Sequence, residues 1–329
     1  MDKIKSNELE ISQCSRRNFL KKSTFAGVLL SVSSYGFSSA ENLFFQPSPG
    51  SAIGSGFNIF SIAIIDDSAR LARKSKEISA LIQKNLVSDF NLPKKGSNAP
   101  HPGNTARLAS ILPFNKEDFI SLLANARENK NKLDDFGEET QKLGFALGWV
   151  ASNAGNKHLD QLRSENKAIS ENSYYLDAAI LRSKSAGKTK SIKAEDIESL
   201  LHQMAPRIFT RFHTFIPDFD DGEGWVLRMA GWRENLNNYF KNLSKAYASP
   251  DQENMKKYIT GPGIFNPDDE IIKLAHSDQE NVSVEQILKA EAKSKYAQTM
   301  VEGYKNLKVA SDFMEGKINE QQLKENIKS

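Results

Sequence analysis

The chain has 329 residues, 26% of them charged and 39% hydrophobic, with 44 Lys and Arg against 41 Asp and Glu. That length is enough to bury a substantial core in one large or two modest domains. The single cysteine excludes a disulfide framework and any iron–sulfur or zinc centre built from several thiolates.

The first organised stretch is SRRNFLKKSTFAGVLLSVSSYGFSSA, residues 15–40. A basic region ends at Lys22, an apolar run follows over 24–37, and Ser38-Ser39-Ala40 supplies the small residues that a signal peptidase needs. Ser31, Ser33, Ser34 and Gly36 make the run too polar and too short for a stable span of ~20 apolar residues. The stretch resembles a bacterial twin-arginine (Tat) export signal. The pattern Ser-Arg-Arg-x-Phe-Leu-Lys is filled by Ser15, Arg16, Arg17, Asn18, Phe19, Leu20 and Lys21. The resemblance implies a cargo carried across the membrane already folded by the Tat translocase. It further implies cleavage after Ala40 and a periplasmic or secreted mature protein.

Removing residues 1–40 takes away six basic and three acidic residues and leaves 38 of each, so the mature chain is formally neutral. Nothing in that balance points to a nucleic-acid partner, and no transmembrane segment is expected after the leader. Cys14 leaves with the leader, so a metal or haem would rest on His, Asp, Glu, Met or Tyr.

Residues 41–58, with PSPGSAIGSG, read as a flexible linker ahead of a domain over 59–329. The apolar run 59–65 is read as a helix entry, continued by Leu71, Ile78, Leu81, Ile82 and Leu86. Three prolines and two glycines make 91–104 a loop. Helices are expected at 116–130, 136–164, 172–185, 193–212, 223–248, 267–276, 283–314 and 319–327, without strand-like alternation or a repeat period. The fold class is therefore all-α, an irregular multi-helix bundle forming a single domain after the cleaved leader. In 283–314, Val284, Ile287, Leu288, Ala292, Tyr296, Met300, Tyr304 and Leu307 mark one apolar face, and Lys289, Lys293 and Lys295 a solvated one.

Within 136–164, Leu143, Leu147, Val150, Ala154 and His158 share one face, and Phe145, Trp149, Ser152 and Asn156 another. A helix apolar on more than one side is buried, so Ser152, Asn156 and His158 are expected to be enclosed polar groups that need partners. The stretch partly resembles the central helix of the all-helical zinc phospholipase C and single-strand nuclease families, Leu-Gly-x-x-Leu-His-Tyr-x-x-Asp with a later His. Leu143, Gly144, Leu147, Trp149 and His158 stand in register. Gly148 and Ser152 replace the first His and the Asp, so two expected ligands are missing, and the resemblance implies a metal site that has decayed or moved.

The second unusual patch is FTRFHTFIPDFDDGEGWVLRMAGWR, residues 209–233. Phe209, Phe212, Phe215, Phe219, Trp225 and Trp232 surround the acidic turn Asp218, Asp220, Asp221 and Glu223, with His213 just upstream. A His beside carboxylates suits metal ligation or general-base chemistry. The same residues also read as a core stripe whose acidic start complements a helix dipole. Glu198 and His202, four apart on one helix, form a weaker pair. His101 and His276 are expected to face solvent. Gly187-Lys188-Thr189 lacks the first glycine of a phosphate loop, since Arg182 stands there, so no nucleotide is expected.

Two functions follow as expectations. One is a non-catalytic binding or accessory protein presenting its aromatic patch to a protein partner. The other is a hydrolase dependent on a divalent metal, with His158, or His213 and the acidic turn, as ligands or base.

Overall fold

The computed structural model describes residues 59–86, 106, 109, 116–133, 138–165, 174–182, 238, 241–248 and 263–327. All of them belong to one compact unit. Helices α1 (Ile59–Lys74), α2 (Ala80–Asn85), α3 (Lys116–Glu128), α4 (Glu138–Glu165), α5 (Glu270–His276), α6 (Val284–Lys289), α7 (Lys295–Met314) and α8 (Glu320–Asn326) follow in chain order. Residues 174–182 and 241–248 are also helical. The described residues contain no strand, only an isolated bridge between Ser75 and Val282, so the fold is all-α. Among them, no helix is long and apolar enough to cross a membrane.

The core is a trio of long helices, α1, α4 and α7, each packed on the other two. Helix α1 reads IFSIAIIDDSARLARK, and Phe60, Ile62, Ala63, Ile64, Ile65, Ala69, Leu71 and Ala72 are all buried. Its polar Ser61, Asp66, Asp67 and Ser68 are buried as well. Such a helix cannot turn a face to water and has to be surrounded.

Small residues let the trio close. At Gly303 of α7, a Cβ would lie 2.5 Å from Ser68 Oγ and 2.9 Å from the Ala151 carbonyl oxygen. The Ser68 hydroxyl donates to the Met300 carbonyl at 3.0 Å, and Asn306 donates to the Val150 carbonyl at 3.2 Å. The backbone at Ala106 lies on α4 at Gly148, where any Cβ would overlap the Ala106 carbonyl. On the outer side, Phe119 of α3 stacks on Trp149 with ring centres 4.3 Å apart.

The helix ends are closed by named groups, as orphan N–H and C=O groups require. Asp177, in the helical segment 174–182, accepts from the Phe60 amide at the start of α1 at 2.8 Å. Ser294 caps α7 by accepting from Ala297, and the Lys295 and Tyr296 amides donate to the carbonyls of Gly263 and Ile264. Gly316, at φ 81°, ends α7. Its amide reaches Phe313 and the Lys317 amide reaches Asp312, the paired bonds of a Schellman motif.

Helices expected at 116–130, 136–164, 267–276 and 319–327 appear within a few residues of those bounds. Two long expectations are broken in the structure. The stretch 283–314 splits at 290–294, because the buried Asp269 carboxylate takes the Lys293 and Ser294 amides and the Ser294 hydroxyl. That arrangement turns the chain and starts α7 afresh. The pattern from 59 to 86 splits after Lys74, where Gln83 donates to the Ser75 carbonyl at 2.8 Å and the Ser79 amide donates to Ser311 Oγ at 2.8 Å. The expected helix 193–212 lies outside the described residues, as does most of 223–248.

Glycine replacements test this packing directly. Gly303→Ala and Gly148→Ala should each lose about 1–3 kcal/mol or more in denaturant unfolding, the cost of overpacking a tight contact. Gly155→Ala should be neutral or stabilising, because its Cβ would sit at an ordinary 3.5 Å from Ser61 Oγ while alanine favours the helix by roughly 0.5–1 kcal/mol.

Candidate functional site

The buried acids of α1 collect the chemistry. Asp67 is 1% exposed. Its Oδ2 accepts from the Tyr296 phenol at 2.6 Å, and its Oδ1 meets His276 Nε2 at 3.0 Å. Arg70, one turn further along α1, places Nε 3.9 Å from Oδ1. A buried carboxylate needs such partners, since uncompensated charge in a core is expensive. Tyr296 is itself fixed by edge-to-face contacts with Phe60 and Phe265, at 5.5 and 5.0 Å. Burial, with the Asp67 carboxylate beside it, pushes the Tyr296 phenol well above its ordinary range.

His276 is the last residue of α5, and its side chain is 39% exposed. It is therefore more open to solvent than Asp67, Tyr296 or Arg70. The sequence pattern places it near a helix end facing water. The structure adds that its inner edge is held by a buried acid. The legible signal is the acid itself, in the adjacent pair Asp66-Asp67 inside an otherwise apolar helix. Beside it, Lys74 donates to the Ser277 carbonyl and lies 3.4 Å from the Ser277 hydroxyl, and desolvation lowers the pKa of that amine.

A second polar chain runs nearby. The Tyr304 phenol donates to Ser75 Oγ at 2.8 Å, and the Ser75 hydroxyl in turn donates to Glu77 at 3.2 Å. Glu77 also accepts from the Val284 amide at 3.2 Å, which ties α6 to the end of α1. Burial pushes the Tyr304 phenol up to about 12.

The candidates on α4 are dispersed rather than gathered. Ser152 is fully buried and donates to the Trp149 carbonyl at 3.2 Å, an internal helix contact. His158 is partly exposed, 3.8 Å from Glu302 of α7. Asn156 lies on the same helix. At the other replaced ligand position, the Ala106 backbone leaves Gly148 no room for a side chain. Among the described residues no group of three or more His, Cys, Asp or Glu is placed to hold a metal ion. His213, Asp218, Asp220, Asp221, Glu198 and His202 lie outside the described residues, as do Arg16, Arg17, Phe19, Leu20 and Ala40 of the leader.

The two raised tyrosines fix an alkaline limit. The ordinary value is 10.0, and both phenols stay protonated in the fold above it while those of the unfolded chain ionise. Their contribution to stability is thus complete below pH 10 and is lost as pH rises through each folded value, about 12 for Tyr304 and well above the ordinary value for Tyr296. Ultraviolet titration should show a tyrosinate step that coincides with loss of helical circular dichroism. Tyr296→Phe, which removes the buried hydroxyl that donates to Asp67 Oδ2, should cost about 1–3 kcal/mol at neutral pH.

Comparison of the chain with protein-family models, with curated proteins and with solved structures gives no match.

Proposed function

We propose that this chain is a bacterial protein exported folded by the Tat translocase. It loses residues 1–40 and acts in the periplasm or beyond as a binding or accessory protein rather than as a metal-dependent hydrolase. The leader pattern at 15–21 supports the route. The packing of α4 supports the choice between the two activities. Where the resemblance to zinc hydrolases calls for a ligand pair four residues apart, Gly148 lies against the Ala106 backbone and the Ser152 hydroxyl is turned into its own helix. Both positions are buried in the packing of α4. The aromatic residues between Phe209 and Trp232 are the proposed contact surface for a partner, on the strength of their density in the sequence.

The route is tested by replacing Arg16 and Arg17 together with lysine in the full-length chain. The expected result is uncleaved precursor retained in the cytoplasm, against wild-type protein shortened by its leader outside it. Delivery of the double variant at the wild-type level would reject the route. For the activity, metal analysis of the mature protein after incubation with zinc should find less than one equivalent retained. One firmly held equivalent together with phosphodiester hydrolysis would reverse the choice.

A further inference from the structure

Residues 270–291 form an excursion whose two ends are hydrogen-bonded to each other. Two acids at its start close the neck. The buried Asp269 takes the Lys293 amide at 3.2 Å and the Ser294 amide at 3.0 Å, and Glu270 takes the Glu291 amide at 2.9 Å. The Ile271 amide donates to the Glu291 carbonyl at 3.2 Å. Between those ends stand α5 and α6, of seven and six residues. Helices that short do not persist in water alone, so the excursion keeps its shape only while it rests on the core.

Its hold on the core is narrow. Ile271, Ile272, Ala275, Val282 and Ile287 are buried, whereas 276–281, Glu285, Gln286, Leu288 and Lys289 are exposed. The polar ties run to α1 and the turn after it. His276 meets Asp67 at 3.0 Å, Lys74 donates to the Ser277 carbonyl, and the Val282 amide donates to the Lys74 carbonyl at 2.8 Å. The Val284 amide donates to Glu77 at 3.2 Å. Two residues engaged in this way also join α1 to α7: Asp67 through Tyr296, and Ser75, bridged to Val282, through Tyr304. The excursion thus lies over polar contacts between those two helices.

We infer that 270–291 is a hinged strap that lifts from α1 as one body, α5 and α6 together, about the Asp269–Ser294 neck. The neck bonds sit at the hinge and survive the motion. Lifting gives up a few aliphatic side chains and four polar ties, far less than the trio α1, α4 and α7 buries, so it precedes global unfolding. Closed, the strap keeps His276 on Asp67. Open, it carries the imidazole away and admits water to the Asp67 carboxylate and the Tyr296 phenol. The inference goes beyond the export and binding reading, and its failure leaves that reading untouched.

Hydrogen exchange of the folded chain, followed amide by amide at low denaturant, tests the strap. In the wild type, the amides of Leu274, Ala275 and His276 in α5 and of Ile287 and Ala290 in and after α6 should share one opening equilibrium. Its denaturant dependence should be weaker than that of amides in the middle of α4. His276→Ala and Glu77→Ala each remove one tie, at opposite ends of the strap. Each should speed exchange in both short helices by the same factor, roughly tenfold for a lost hydrogen bond to a charged group. Exchange of the strap amides only through global unfolding would overturn the inference. So would a variant that speeds only the short helix it touches, since α5 and α6 would then open separately.

Discussion

Gly303 of α7, Ser68 of α1 and the Ala151 carbonyl of α4 meet at a point where even a methyl group would not fit. Interiors are packed at crystal-like density, so a contact this close fixes the separation and tilt of three helices at once. Most other features follow from that closeness. Helix α1 is enclosed around its circumference, so its polar residues have to find partners inside the protein. Ser68 finds the Met300 carbonyl, Asp67 finds Tyr296 and His276, and the α1 N-terminus finds Asp177. Each partner comes from a different part of the chain, and the polar bonds thereby select one arrangement of the helices from the many that would bury the same apolar area.

The same geometry explains why α4 serves as scaffold. Its Gly148, which in the sequence sits where the first ligand of a metal pair would stand, is a point of backbone approach. Gly148 admits the Ala106 segment, and Gly155 faces Ser61 and Ile64 of α1. A glycine replacing a ligand and a glycine required by packing look identical in a one-dimensional string. Only the neighbouring backbone distinguishes them.

The all-α class and the bounds of four of the expected helices were legible because apolar residues recur at helical spacing over long stretches, as in Leu143–Leu147–Val150 and Tyr296–Met300–Tyr304–Leu307. The breaks at 75–79 and 290–294 were not, because each depends on a residue distant in sequence. Ser311 receives the Ser79 amide, and Asp269 receives the amides of Lys293 and Ser294. Leu288 shows the limit of periodicity, since it matches the apolar face yet is 45% exposed on the short α6. The candidate site followed the same division. His158 and Ser152 stood out by their place on an apolar helix, whereas the link between Asp67 and His276 spans most of the domain and leaves no spacing to read.

The central physical claim is that α1, α4 and α7 form one cooperative core, with the Asp67 network inside it. Native-state hydrogen exchange in increasing denaturant tests this most directly. Amides from the middle of α1, α4 and α7 should exchange together, at the free energy of global unfolding and with its denaturant dependence. Exchange of the α1 amides through a lower-energy, denaturant-insensitive opening, while α4 and α7 remain protected, would contradict it.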